Sequence, residues 1–314
     1  MLTVIGEALI DLINVDSGTY RAVPGGAAAN TAVALARLGT PVSLLARFGD
    51  DRFGRDLREY TGSRGVDLRH SVAAPEPTTL SVATLDEVGR AEYGFYVNGT
   101  ADWQWVPDEL PDPVGGGVTA IHAGSLAMAL RPGAPVIETW LSAQRERVTV
   151  SFDPNIRPAL AGPHDVEVRR IERQVGLADV VKVSDEDLAW LYPEREVEES
   201  LRSWGTLGPS LVVLTQGARP TVALRAGAPP LLVHRRPTRT EVTDTVGAGD
   251  AFAAGVLDAL SQIGALGGAA RPHLASLDEA AVAACLDHAH LVAARVCARP
   301  GADPGELALP PVRL

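Results

Sequence analysis

The sequence predicts an α/β protein built on a doubly wound, mostly parallel central sheet flanked by helices, with a small β-sheet outside that core. Three observations predict it. Short apolar runs of strand length alternate with helix-length segments along most of the chain, the pattern of repeated βαβ units. Those runs lack polar alternation, as strands covered on both faces do. From Thr79 to Trp105 the pattern changes to short polar-alternating runs, which suit a sheet with one open face.

In chain order, Leu2 to Ile10 is the first core strand, broken by Gly6 and Glu7. Asp11 then falls at its carboxyl end, where open α/β sheets bind ligands, although Asp is also a plain turn former. Ile13 to Val23 belongs with the small sheet. Gly25 and Gly26 precede a helix from about Asn30 to Leu38, with Asn30 a candidate N-cap and Gly39 the stop. A strand from Val42 to Ala46 and a helix from Phe53 to Ser63 complete a β-α-β-α start. In the small sheet, turn signals stand at Asp86 to Gly89 and at Asn98-Gly99. Tyr93, Phe95, Tyr96, Trp103 and Trp105 give that stretch an aromatic surface fit for a ligand, a second subunit or ordinary packing. Core strands resume at Thr119 to Ala123, Val148 to Phe152, Val180 to Val183 and Leu211 to Thr215, separated by helices such as Ala134 to Glu146 and Asp165 to Gly176. Val222 to Leu224 and Leu231 to Val233 form an edge hairpin, and a helix from Leu277 to about Val296 follows. No Ser-, Pro- or charge-rich linker divides the 314 residues, so residues 1–314 read as one domain.

The stretch from Arg239 to Leu260, RTEVTDTVGAGDAFAAGVLDAL, carries the strongest chemical signal. Gly247 and Gly249 can take positive φ, so the backbone through Gly247, Ala248 and Gly249 can curl its amides into one concavity. A helix starting at about Asp250 adds unpaired amides and a positive dipole end, which together stabilise an anion. Asp250 at the lip suits a transfer in which negative charge grows in the concavity while a hydroxyl loses its proton beside it. An acid at a helix start is more often only a cap. The dinucleotide fingerprint fails here, because Phe252 stands where its third glycine belongs, which disfavours a nicotinamide-dependent oxidoreductase.

This turn resembles the C-terminal signature of the ribokinase-like (PfkB) carbohydrate kinases, D-T-x-G-A-G-D, which stands here as Asp244, Thr245, Val246, Gly247, Ala248, Gly249 and Asp250. The family's N-terminal signature is matched by PGGAAANTAVALARLG from Pro24 to Gly39. Two long matches in order, about 220 residues apart, are far more specific than either glycine pattern. The resemblance covers nearly the whole chain, and GEALIDLI, FDPNIR and CARPGADP look most like fructokinases.

The resemblance implies an ATP-dependent kinase that moves the γ-phosphoryl group to a sugar hydroxyl, with D-fructose first and 2-keto-3-deoxygluconate and ribose as open alternatives. A catalytically silent sugar- or nucleotide-binding regulator on the same fold is the reading from another class. It makes the small sheet a lid over about 12–23 and 77–107, and a homodimer through that lid. It gives Asp11, Gly25, Gly26, Asn30 and Arg157 to the sugar, Arg157 serving the transferring phosphate as well. Asp250 becomes the base, and the amides from Gly247 through Ala248 and Gly249 the anion hole. Lys182, Ser184, Thr215, Gly217, Gly247, Gly249 and His290 fall to the nucleotide, and Asp244 with the Val246 carbonyl to a monovalent cation such as K⁺. Relatives carry Asn and Glu where this chain has Ser184 and Asp187, both shorter, so the resemblance leaves the Mg²⁺ role of Asp187 open. A helix dipole favours ionised Asp250 by about 0.3 to 1 kcal/mol, so an ordinary carboxylate is expected.

The formal charge of −11 argues against general binding to nucleic acid or anionic membrane. A phosphate ligand must then be held by backbone amides, helix ends, a metal and a few bases. Cys285 and Cys297 have no C-x-x-C spacing, so neither a disulfide framework nor a zinc site is expected. The chain opens directly on a strand, and a soluble, reduced, cytoplasmic protein is the expectation.

Overall fold

The apolar runs pair into one eight-stranded sheet, and the polar-alternating runs into a separate four-stranded one. The computed structural model describes residues 1–314 other than 17, 86–90, 113 and 314. In chain order the first elements are β1 (Leu2–Ile5), β2 (Leu9–Asp16), β3 (Thr19–Gly25), α1 (Ala27–Arg37), β4 (Val42–Leu45), β5 (Arg47–Gly49) and α2 (Arg52–Gly62). Next come β6 (Val72–Ala74), β7 (Leu80–Leu85), β8 (Ala91–Tyr96), β9 (Ala120–Gly124), α3 (Gly133–Gln144), β10 (Thr149–Asp153), α4 (His164–Val175) and β11 (Val180–Ser184). The last are α5 (Asp185–Leu191), α6 (Val197–Gly205), β12 (Leu211–Gln216), β13 (Arg219–Arg225), β14 (Leu231–Arg235), α7 (Ala248–Gln262), α8 (Arg271–Ala275) and α9 (Glu279–Cys297).

The large sheet runs β14-β13-β12-β11-β10-β9-β1-β4 and is parallel except for the hairpin strands β13 and β14. Alternate residues feed two apolar layers, as the period of a strand requires. Leu211 and Val213 of β12 join α1, α7 and α9 on one face. Val212 and Leu214 join α3, α4, α5 and α6 on the other. Lys182 alternates with Val181 and Val183 of β11, so it lies on the face that carries α7. Helix α9 is long and apolar enough to cross a membrane by length and composition alone, yet half of it is buried and its apolar residues pack with α7.

The small sheet, β3-β2-β7-β8, differs from expectation in three ways. Its strands span 9–25 and 80–96 rather than 12–23 and 77–107. Asp11 therefore lies within β2, paired with Val23, and not at the end of a core strand. The apolar run stays buried but leaves the large sheet at Gly6, whose φ of 154 marks the turn. Trp103 and Trp105 are core residues, 2% and 1% exposed, because the chain re-enters the large layer directly after β8. Tyr96 remains on the open face at 64% exposure. The turn expected at Asp86 to Gly89 lies outside the described residues, as does the Tyr93 side chain.

Candidate active site

Open α/β sheets bind ligands at the carboxyl ends of their strands, and here β9, β10, β11 and β12 end around the start of α7. The helix begins at Ala248, two residues before expectation, with Gly247 as its N-cap at φ 75. Only Gly247 of the two glycines is left-handed; Gly249 sits in the first helical turn. A Cβ on Gly247 would also lie 2.4 Å from Cβ of Ala302, so the turn is wedged against the C-terminal loop. The Ala248 amide is not part of an anion hole, because it donates to the Thr245 carbonyl at 3.2 Å. Among the described residues, the amides of Gly247, Gly249 and Asp250 have no acceptor, which leaves an anion-binding end of the kind helix N-termini provide.

The five residues expected at the sugar lie beside this end. Asn30 is inside α1 rather than capping it, because the helix starts at Ala27, and its Nδ2 donates to Asp250 Oδ2 at 2.9 Å. Asp11 approaches from β2, hydrogen-bonded by Ser81; burial raises its carboxyl, and Ser81 and Arg157 pull it back in part. A Cβ on Gly25 would stand 2.2 Å from Asp11 Oδ2, so this glycine makes room for the carboxylate. Gly26, at φ 103, lies so close to the Glu7 carbonyl that a Cβ would be 2.5 Å from its oxygen. Arg157 is tied to its own loop, its Nη1 donating to Asn155 Oδ1 at 2.6 Å, and its charge acts on both Asp11 and Asp250.

Asp250 is not the ordinary carboxylate that the dipole argument gives. Burial pushes it up to about 6, against the Asn30 hydrogen bond and the Lys182 charge, while Asp153 pushes the same way as burial. Desolvation outweighs the dipole because the carboxyl is packed under α1 with one protein donor on its side chain.

Among the residues expected at the nucleotide, Lys182 is buried and its Nζ donates to Asp153 Oδ2 at 2.9 Å. Burial works against its charge, but Asp153 and then Asp187 outweigh that and hold Lys182 above its usual value. The same Nζ is 3.1 Å from the Cβ position of Gly249, directly under the helix end. Gly217 turns left-handed at φ 58 after β12, open on its side-chain face, and the Thr215 hydroxyl donates to the Val183 carbonyl at 3.4 Å. His290 packs against Phe252 and shares a hydrogen bond of 2.8 Å with Thr221, its Nδ1 unpartnered.

The two candidate cation carboxylates are already engaged. Asp187 Oδ1 accepts the Ile156 amide at 2.7 Å, and Oδ2 accepts the Ser184 hydroxyl at 2.7 Å and its amide at 3.2 Å. The Ser184 to Asp187 pair forms a helix cap, and the expected role of Asp187 in ordering Mg²⁺ through water would be exerted from that capped position. Asp244 accepts the Val246 amide on Oδ1 at 3.0 Å and the Gly301 amide on Oδ2 at 2.9 Å, which fixes the turn to the C-terminal loop.

Sequence reasoning missed a layer under the site. A cavity of about 10 Å³, enough for one water, is lined by His122, Ser125, Asp153, Asn155 and Asp250. His122 shares a 3.0 Å hydrogen bond with Ser151; burial, and then Lys182, lower it to about 4, so it is neutral. Ser125 and Asn155 hold left-handed backbone at φ 51 and 39, an uncommon state for side-chain-bearing residues and one that clusters at sites. Among the described residues, Asp153 Oδ1 has no partner.

Comparison with known proteins agrees with this geometry. The profile described as pfkB family carbohydrate kinase matches residues 1–308. A fructokinase of Rhizobium leguminosarum bv. trifolii is 35% identical over 290 residues, covering 90% of this chain and 85% of the relative. The crystal structure of a fructokinase with bound ATP from Xylella fastidiosa superposes with a TM-score of 0.88 at 28% identity, covering 96% of this chain and 93% of that one. A Vibrio cholerae O395 fructokinase in a fructose, ADP and calcium ion bound form gives 0.81 at 30% identity, covering 96% and 95%.

Proposed function

The chain belongs to the pfkB family carbohydrate kinases, phosphotransferases that act on a sugar hydroxyl, and we propose that this one phosphorylates D-fructose from ATP. The observation that carries the reading is the Asn30 to Asp250 hydrogen bond beside the three open amides of the α7 end. Asp250 takes the proton of the sugar hydroxyl as that oxygen bonds to the γ-phosphorus and the bond to the β–γ bridging oxygen breaks, releasing ADP. The amides of Gly247, Gly249 and Asp250, with the Lys182 charge beneath them, hold the negative charge of the moving group. Asp11 and Asn30 count sugar hydroxyls, because a site with polar groups rejects a ligand that leaves them unpaired.

Thr215, Gly217 and His290 are assigned to the nucleotide. Mg²⁺ would accompany ATP and neutralise charge on its phosphates. A K⁺ ion held by carbonyls near Val246 and Asp244 would stiffen the turn. A homodimer through the small sheet fits the exposed Val15, Tyr20 and Tyr96 on it. A cytoplasmic location fits the two free cysteines.

ADP release measured side by side with D-fructose, 2-keto-3-deoxygluconate and ribose tests the assignment. The highest kcat/KM is expected with D-fructose. A higher value for either other sugar overturns the substrate, and ADP release with none of them overturns the kinase in favour of a silent binding protein.

A further inference from the structure

All four strands of the small sheet meet the core beside two buried carboxyl groups, Glu7 and Asp102. Asp102 Oδ1 accepts the amide of Ala8 at 2.9 Å, one residue before β2 starts. The Thr79 hydroxyl, one residue before β7, bonds the same carboxyl group. Thr79 also meets the hydroxyl of Thr100 at 2.6 Å, on the segment returning from β8. Glu7 Oε1 accepts the amide of Ala27 at 3.2 Å, where β3 passes into α1, and Ser125 holds the same group from the end of β9. The roots of β2 and β7 are thus tied to Asp102 and the β3–α1 junction to Glu7, while the return from β8 joins them through Thr79.

Packing alone does not call for acids there. A neutral side chain could accept the same amides, and two carboxylates this close resist joint ionisation. Glu7 raises Asp102 further after burial has done so. Among the described residues, Glu7 Oε2 and Asp102 Oδ2 accept nothing. Each acid therefore keeps one oxygen for the strands and one uncommitted, which suits a joint that must hold one angle and still yield.

We propose that Glu7 and Asp102 are positioning residues that set the angle of the small sheet over the site, and so set sugar affinity without touching the sugar. The proposal rests on the reading of Asp11 as a sugar contact, since Asp11 rides on β2 while Asn30 and Asp250 stay with the helices. Moving the sheet separates these partners and leaves the α7 end and the nucleotide side intact.

Asp102→Ala removes the acceptor that Ala8 and Thr79 share, whereas Asp102→Asn keeps one. In Asp102→Ala, KM for D-fructose is expected to rise about tenfold or more, with kcat and KM for ATP within about threefold of wild type; Asp102→Asn should restore most of the loss. An unchanged KM for fructose, or an equal rise for ATP, overturns the proposal. Hydrogen exchange provides a second measurement that needs no turnover. Thr79→Val removes one donor at nearly constant volume, and the amides of β2, β3 and β7 should then exchange faster together while β9 does not change. Faster exchange confined to the neighbours of position 79 overturns it as well. If the wild-type chain phosphorylates no sugar, the kinase reading fails and the exchange result alone decides the joint.

Discussion

Two helices start at the carboxyl edge of the same sheet with an acid in their first turn, and they are finished in opposite ways. At α5, Ser184 and Asp187 close a reciprocal capping box, and the other Asp187 oxygen is taken by the Ile156 amide. At α7, the cap is a glycine without a side chain, and three amides stay open. Asp250 has one side-chain donor, Asn30, where Asp187 has several. The difference teaches that an acid at a helix start is chemical when the protein withholds partners from it, and structural when the protein supplies them. Burial raises both carboxyl groups, so the shift alone does not separate them.

Substitutions at each helix start test this contrast. Asp250→Asn keeps the shape and loses proton acceptance, so kcat should fall about 100-fold or more with little change in sugar affinity. An unchanged kcat would remove Asp250 from the chemistry. With Asp250 at about 6, wild-type kcat/KM should fall as pH drops through that value and level off above it. Its stability effect has the opposite sign. The folded protein holds this proton more tightly than the unfolded chain, so stability falls as pH rises from the ordinary carboxylate value through about 6. Asp250→Asn should therefore melt higher than wild type at pH 7.5, with the gap closing toward pH 4.

A smaller effect is expected at Gly249→Ala. Positive φ is not the reason, since Gly249 is helical; the added Cβ meets Lys182 Nζ and crowds the phosphate, lowering turnover about tenfold with Tm nearly unchanged. Wild-type rates would show that this face of the turn carries no ligand. At the closed end, Ser184→Ala should cost about 1 kcal/mol in urea unfolding and leave the Mg²⁺ dependence of the rate as it was. A shifted Mg²⁺ requirement would return Ser184 and Asp187 to the metal. Replacing K⁺ by a non-coordinating cation should slow the reaction a few-fold, and equal rates in both salts would dissociate Asp244 from any ion.

The large sheet was legible because its strands are mostly apolar runs, and the Asp250 turn because its glycines and acid are contiguous. Asp11 was misplaced for a physical reason. One apolar run, Leu2 to Ile10, serves two sheets, and only the backbone at Gly6 divides it. Trp103 and Trp105 were assigned to the small sheet by composition, but burial depends on where the chain goes next, which no local pattern contains. Glu7 and Asp102 were invisible as paired buried acids because such acids are justified by partners far along the chain, such as Ala27 and Ala8. The shifted Asp250 had the same cause: it is buried among segments far from it in the chain, Ala27 and Ala28 of α1 and the ends of β9 and β10.

The wedge of Ala302 against Gly247, with Gly301 bonded to Asp244, also sets an order of events during synthesis. These partners are 57 residues apart, so the turn leaves the ribosome well before its brace has been made. At ordinary elongation rates that interval is roughly 3 to 11 s. Helices α7 and α9, which fill one apolar layer against the large sheet, are made in that same interval, so the turn, its brace and this layer of the core are all completed late in synthesis.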